Sequence, residues 1–256
     1  MPAVFFGHGS PMNTLERNAH TDAWQAFGRA MPRPRAILAI SAHWYIRETA
    51  VTAMLRPKTI HDFGGFPAAL HAFDYPAPGD STLAARVRDL LAPLPVRLDQ
   101  EWGLDHGTWS VLAHVAPQAD IPVVQLSIDR AQPGAFHYDL GQRLAPLRDE
   151  GVLIMGSGDV VHNLGLIRWG DDSAPYPWAT QFNDDVRALL ERGENVPLVD
   201  PLALGEPARL SVPTPEHYLP LLYVTGARRP DDRFEIITDG IAVGSISMLS
   251  FALAPA

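Results

Sequence analysis

The chain has no cysteine. That excludes disulfides and thiolate metal sites. It has no apolar run near the ~18 residues that carry a helix across a bilayer, so no membrane span is expected. Its start shows no basic stretch leading into an apolar one, so no secretory signal is expected. Basic residues number 20 against 29 acidic ones, for a net charge of −9, and they form no block. Such a surface suits neither nucleic acid nor an anionic membrane. A cytoplasmic location fits these absences. Common enzyme fingerprints are missing too. There is no G-x-x-x-x-G-K-[ST] phosphate loop, no G-x-G-x-x-G and no H-E-x-x-H. Ser10 in "GHGSP" and Ser157 in "MGSGD" lie near glycines. Neither stands in the G-x-S-x-G elbow of a serine hydrolase.

What is present is the material of a core. Hydrophobic residues make up 46% and charged ones 19%, the proportions of an ordinary globular protein. No repeat or linker divides the sequence, so residues 1–256 read as one catalytic domain. The 24 prolines imply rigid loops. Strands are expected at Ala3–Phe6, Ala36–Ser41, Ala50–Met54, Val96–Leu98, Pro122–Ser127, Val152–Met155, Phe234–Ile237 and Ser245–Phe251. "AILAIS" and "IPVVQLS" are apolar on both faces, as strands covered on both sides should be. Helices fall between them. One is expected over Thr21–Met31. Leu83, Val87, Leu90 and Leu91 form a helical stripe with Asp80 or Ser81 as its N-cap. Phe182, Val186, Leu189 and Leu190 form another, closed by Gly193. Strands alternating with helices predict an α/β protein, an α/β/α sandwich around a central mixed sheet.

Histidines supply the chemistry. His8 follows "VFF", His43 follows "ILAIS", and His162 follows "VLIM" through the loop "GSGDVVH". In open α/β sheets ligands bind at the carboxyl edge of the strands. If the three strands are parallel, these histidines converge there. His106 lies in the loop "GLDHGTW" ahead of an expected helix, and His217 in the first turn of a helix in "PTPEHYLPLL". His61 sits in the glycine-rich "IHDFGGFP". A lone histidine in a loop is most often structural, and His20, His71, His114 and His137 read that way. Clustered imidazoles without thiolates suit iron(II), zinc, manganese or copper. A catalytic centre takes about three protein ligands and leaves a position open. Beside His8 and His43, the third can be His217 or Glu216. Neighbours on a helix point ~100° apart, so one of the two is excluded, and spacing does not choose between them.

Seven motifs together carry a resemblance: "FGHGSPM", "ISAHW", "HDFGGFP", "WGLDHGTW", "ADIPVVQLSID", "GSGDVVHNL" and "PTPEHYLPLL". In this order, from Val4 to the C-terminus, they resemble the class III extradiol ring-cleavage dioxygenases, and among these the bacterial 4,5-DOPA dioxygenase extradiol subgroup. The resemblance implies one α/β/α domain with a non-heme metal at the strand carboxyl edge. It implies His8, His43 and His217 as ligands, favouring His217 over Glu216. His162 matches a histidine that serves as a further ligand or as an acid/base, and His106 one that faces the substrate oxygens. Val212 departs from the pattern, standing where relatives often carry another histidine.

The implied reaction opens a catechol ring with O₂. It needs a base for a phenolic proton and an acid for O–O cleavage, and histidine suits both because it titrates near neutrality. The expected catalytic residues are therefore His106 and His162. His61, Trp44 and Phe66 are candidate substrate contacts, and Phe63 and Trp109 are further rings that can line a pocket. Iron(II) is expected in the active form and zinc in purified protein. The partners are a small catechol and O₂. Two other readings compete: a zinc-dependent hydrolase on the same scaffold, and a non-catalytic small-molecule-binding homologue. Metal identity with catechol-dependent O₂ uptake separates the first, and the set of five histidines speaks against the second.

Overall fold

The computed structural model describes residues 1–170 and 173–255. Its strands are β1 (Ala3–Gly7), β2 (Ala36–Ile46), β3 (Ala50–Thr52), β4 (Arg97–Asp99), β5 (Val123–Asp129), β6 (Val152–Gly158), β7 (Arg233–Thr238), β8 (Ile241–Ala242), β9 (Ile246–Ser247) and β10 (Ser250–Ala254). The α-helices are α1 (Ala19–Ala30), α2 (Ala68–His71), α3 (Ser81–Leu91), α4 (His106–Val115), α5 (Gly134–Leu144), α6 (Pro177–Arg192), α7 (Glu206–Ser211) and α8 (Leu219–Gly226). Among the described residues eight strands form one sheet in the order β4-β3-β5-β2-β6-β1-β10-β7, and β8 and β9 pair separately. The four central strands β5, β2, β6 and β1 are mutually parallel. Antiparallel partners flank them: β3 on β5, and β10 on β1. The expected mixed α/β sandwich is therefore present.

Alternation along the strands builds two cores. In β1, Ala3 and Phe5 face one side and Val4 and Phe6 the other. Leu38 and Ile40 of β2 join the first, where α3, α5, α6 and α8 supply Leu83, Leu140, Phe182 and Leu221. Ile37 and Ala39 join the second, covered by Trp24 of α1 and by Trp109 and Leu112 of α4. A strand buried on both faces must be apolar at every position, which is why "AILAIS" shows no polar alternation. Local caps agree with the sequence. Asp80 accepts from Thr82 and Leu83 backbone N–H groups at the start of α3. Asn18 and Thr21 exchange reciprocal bonds at the start of α1, a capping box that begins the helix two residues earlier than its apolar pattern.

Two expectations need correction. The predicted strand Ser245–Phe251 is broken in two, β9 and β10. Ser247, Ser250 and Thr238 bond the backbone there, local competition that interrupts a ladder. His43 does not follow a strand exit but lies within β2, which continues to Ile46. The register of β2 against β5 shifts between Ile40 and Tyr45. No helix among the described residues is long and apolar enough to cross a membrane.

One buried ion pair ties the segments of β1, α8 and β10 together. The Arg148 guanidinium donates to both carboxylate oxygens of Asp232 at 2.6 Å, and both side chains are fully buried. It also donates to the carbonyls of Met1, Ala227 and Leu253. The start of β1, the end of α8 and the end of β10 thus share one cation. Burial alone pushes the Asp232 carboxyl up, but the Arg148 hydrogen bonds, the Arg229 N–H and both positive charges outweigh it and hold the carboxyl below its ordinary value. A depressed carboxylate stabilises the fold above its unfolded value, and that stability disappears as pH falls through the folded value. Asp232→Ala should therefore cost about 3–5 kcal/mol at neutral pH. Its deficit against wild type should shrink below about pH 4. Urea unfolding at pH 7 and at lower pH measures both.

Candidate metal centre

The carboxyl edge of β1, β2 and β6 gathers the histidines. His8 is the first residue after β1. Its N–H donates to the Gly158 carbonyl at 3.0 Å, and Asn13 Nδ2 donates to its carbonyl at 3.0 Å. Gly9 then turns the chain at φ +60°, a conformation that a β-carbon disfavours. A strand that must stop dead on a fixed imidazole explains the glycine after it. His43 comes from the irregular part of β2. His106 is the first residue of α4, capped by Asp105. His217 lies in the turn before α8, two residues short of the helix in which it was expected. His162 makes an isolated bridge to Ile246.

These five rings meet. The ring centroid of His8 lies 5.2 Å from that of His43, 5.3 Å from that of His217 and 6.0 Å from that of His106. His43 and His106 are 3.8 Å apart, and His162 stacks on His217 at 3.5 Å. His8, His43 and His217 each bring a ligand atom within 4.8 Å of the others.

Hydrogen bonds fix which nitrogen faces inward. The Ser157 hydroxyl donates to the Gly107 carbonyl, so it can only accept from His8 Nδ1, 2.9 Å away. His8 therefore carries its proton on Nδ1 and a lone pair on Nε2. His43 Nδ1 lies 3.2 Å from Asp62 Oδ2, an ion-pair contact without hydrogen-bond alignment, and the carboxylate's charge favours a proton on that outer nitrogen. His217 Nδ1 bonds Glu216 at 3.3 Å. His8 Nε2 and His43 Nε2 face each other at 3.4 Å, and with the His43 proton on Nδ1, beside Asp62, they meet lone pair to lone pair. That contact is repulsive unless a cation lies between. Two nitrogens bound at about 2.0–2.1 Å to one tetrahedral ion stand about 3.4 Å apart. The donor set fits a metal.

Electrostatics point the same way. Burial, reinforced by the other histidines, pushes His8 and His217 well below the ordinary imidazole value. Burial pulls His106 down, against the opposing pull of Asp62. His162 is lowered to about 4, again by burial first. These are neutral imidazoles at pH 7, the form that binds metal or accepts a proton. Asp62 stays ionised: burial raises it, but the flanking His106 and His43 lower it further. Its Oδ1 accepts from the His106 backbone N–H at 2.9 Å. It also lies 3.0 Å from His106 Nδ1, where the alignment does not make a hydrogen bond.

The other candidates fall around this cluster. His61 commits Nε2 to the Phe73 carbonyl at 2.8 Å and packs against Trp109 and Phe63. Among the described residues Trp44 stacks on Trp102 and on none of the five histidines. Phe66 meets Phe63, and it is Phe63 that sets its ring edge-on to His106 at 5.5 Å. Glu216 bonds Thr214 and His217. Three side chains at the centre carry little mark in the sequence: Asp62, Ser157 and Asp159. Their one signal is position. Asp62 follows His61 in "HDFGGFP", and the other two stand in "GSGD" directly behind an apolar strand.

A buried histidine cluster at the carboxyl edge of a mixed α/β sheet defines a non-heme metal-centre protein. The model of the LigB family, the catalytic subunit of aromatic ring-opening dioxygenase, matches residues 3–253. The 4,5-DOPA dioxygenase extradiol of Escherichia coli (strain K12) is 57% identical over 254 residues, covering 98% of this chain and 93% of that protein. The 4,5-DOPA dioxygenase extradiol of Beta vulgaris is 38% identical over 257 residues, covering 96% and 94%. A crystal structure of an uncharacterized protein from Escherichia coli K12 superposes with a TM-score of 0.87 at 50% identity, covering 99% of this chain and all of that one. The chain belongs to the LigB family of aromatic ring-opening dioxygenases. It is an oxidoreductase, and its reactants are a small aromatic molecule and O₂.

Gly107 is what lets the cluster close. A β-carbon there would stand 2.4 Å from Ser41 Oγ and 2.8 Å from His43 Cδ2. Gly107→Ala should remain folded, at a cost of about 1–3 kcal/mol, and should lose bound metal because His43 is displaced. Circular dichroism with elemental analysis tests this. Wild-type metal content in the variant would show that the cluster tolerates the shift.

Proposed function

We propose that the whole chain is one catalytic domain that opens the ring of a catechol, DOPA-like or protocatechuate-like, by extradiol cleavage. The observation that carries the site assignment is the approach of His8 Nε2 to His43 Nε2 at 3.4 Å with both outer nitrogens engaged. His8, His43 and His217 hold the metal, with His162 as a further ligand or an acid/base. Iron(II) is the metal of the active form, and zinc the one that survives purification, since it binds such nitrogen sites tightly. Iron(II), when bound, supplies electron transfer between a chelated catechol and O₂.

The chain's own residues do the rest. His106, neutral and held by its backbone to Asp62, takes a phenolic proton on Nε2. Asp62 accepts the resulting positive charge at close range. His162 packs flat on His217 with a lowered basicity, which suits a group that must give a proton back readily. Phe63, set against His106, offers an apolar wall to a flat ring. His61, Trp44 and Phe66 stand farther out as substrate contacts.

The test loads the apoprotein with iron(II) without air and follows O₂ uptake and absorbance over a catechol panel. DOPA, protocatechuate or caffeate-like catechols should consume O₂ and give a yellow ring-opened product, while tyrosine should not. Ester or amide hydrolysis with zinc, and no O₂ uptake with any catechol, would overturn the reading. His8→Ala, His43→Ala and His217→Ala should each lose metal by elemental analysis. His106→Ala should keep it and lose kcat by on the order of 10²-fold or more.

A further inference from the structure

We infer that Asp159 is a metal ligand of this centre, a carboxylate donor beside the imidazoles; the inference rests on the histidine site proposed above. Asp159 directly follows β6, and its side chain is fully buried. Its backbone N–H donates to the His217 carbonyl at 2.9 Å, and its Oδ1 accepts from the Gly9 N–H at 3.0 Å. The second oxygen, Oδ2, has no hydrogen-bond partner. It points into the cluster, 3.5 Å from His8 Nε2. Together with nitrogens of His162 and His217 it forms a donor group within 4.8 Å.

Burial pushes the Asp159 carboxyl well above its ordinary value, against the pull of the Gly9 N–H, and a buried oxygen without a partner is unfavourable whichever form it takes. His8 cannot supply one, because Ser157 keeps its proton on Nδ1. A protonated Asp159 does not resolve the contact either, since 3.5 Å is too long for an O–H···N bond. Two acceptors facing each other at 3.5 Å repeat the relation between His8 and His43, and a cation between His8 Nε2 and Asp159 Oδ2 satisfies that pair; Asp159 groups with His162 and His217, and the His8–His43 set shares His217 with it. The nearby Glu216 is already engaged by Thr214 and His217. The inferred centre therefore joins several imidazoles to one carboxylate from "GSGD", a donor mix that suits iron(II) in oxygenases.

The substitution that isolates this role is Asp159→Asn. It keeps an oxygen for the Gly9 N–H and replaces the inward donor oxygen with the amide nitrogen, which offers a metal no lone pair. Cobalt(II) is titrated into metal-free wild type, Asp159→Asn and His43→Ala, against a chelator and with visible absorption recorded. Asp159→Asn should bind cobalt at least ~10-fold more weakly than wild type and shift its visible band. Metal-free Asp159→Asn should melt at or above the wild-type temperature, because the amide oxygen keeps the bond from the Gly9 N–H and an amide N–H faces the His8 lone pair in place of an oxygen. Wild-type affinity and spectrum in Asp159→Asn, with metal lost in His43→Ala, overturns this inference and leaves the histidine centre standing. A metal-free Asp159→Asn that melts well below wild type makes Asp159 structural and also overturns it. No cobalt binding by wild type removes the histidine centre and this inference together.

Discussion

Five imidazole rings crowd one small volume, His8, His106 and His217 buried and His43 and His162 half-buried, and a proton on an inward nitrogen of the buried three would face the others at close range in a medium that screens little. Neutrality of the cluster is the condition on which the rest of the site depends. It is met by giving the outer nitrogens somewhere to keep their protons. Ser157 serves His8, Asp62 serves His43 and Glu216 serves His217. Each partner fixes a tautomer as well as an orientation, so the lone pairs are aimed before any ion arrives. Preorganisation of this kind leaves less to reorder on binding, and it explains why so many polar side chains stand buried at one end of an otherwise apolar sheet.

The sheet makes that arrangement rigid. Strands β1, β2 and β6 run side by side and parallel, so their carboxyl ends lie at one level. Both faces are sealed by helices, which leaves the edge as the place where backbone and side chains meet solvent. The irregular stretch of β2 has a use in this geometry. A regular strand keeps its register and its ladder bonds, whereas the shift between Ile40 and Tyr45 frees the backbone around His43 to point the ring across the edge.

Much of this was legible in the sequence because it depends on local pattern. Apolar strands, capped helices and histidines at strand ends all leave periodic or positional traces, and the order of seven motifs carried the family. What was not legible depends on contacts between distant segments. Asp62 and His43 are 19 positions apart, and Asp159 and His8 far more, so no spacing rule links them. Trp44 follows a candidate ligand, but its partner Trp102, on which it stacks, is brought to it only by folding and carries no mark in the sequence. The break at Ser245–Phe251 was hidden because two serines and a threonine, Ser247, Ser250 and Thr238, read as β-compatible until their hydroxyls are seen bonding the backbone.

The Arg148 clasp has a bearing on how the protein is made. Strand β1 carries His8 and lies between β6 and β10, and one guanidinium joins its start to the far end of β10. A nascent chain emits β1 first and must wait for nearly everything else before that strand has both neighbours. Contacts of such long sequence separation form slowly. The histidines are thus dispersed during synthesis, on segments that cannot yet cooperate in gripping a metal. Assembly of the cluster is confined to the finished molecule, and a chain lacking β10 would leave His8 at the end of an unanchored strand.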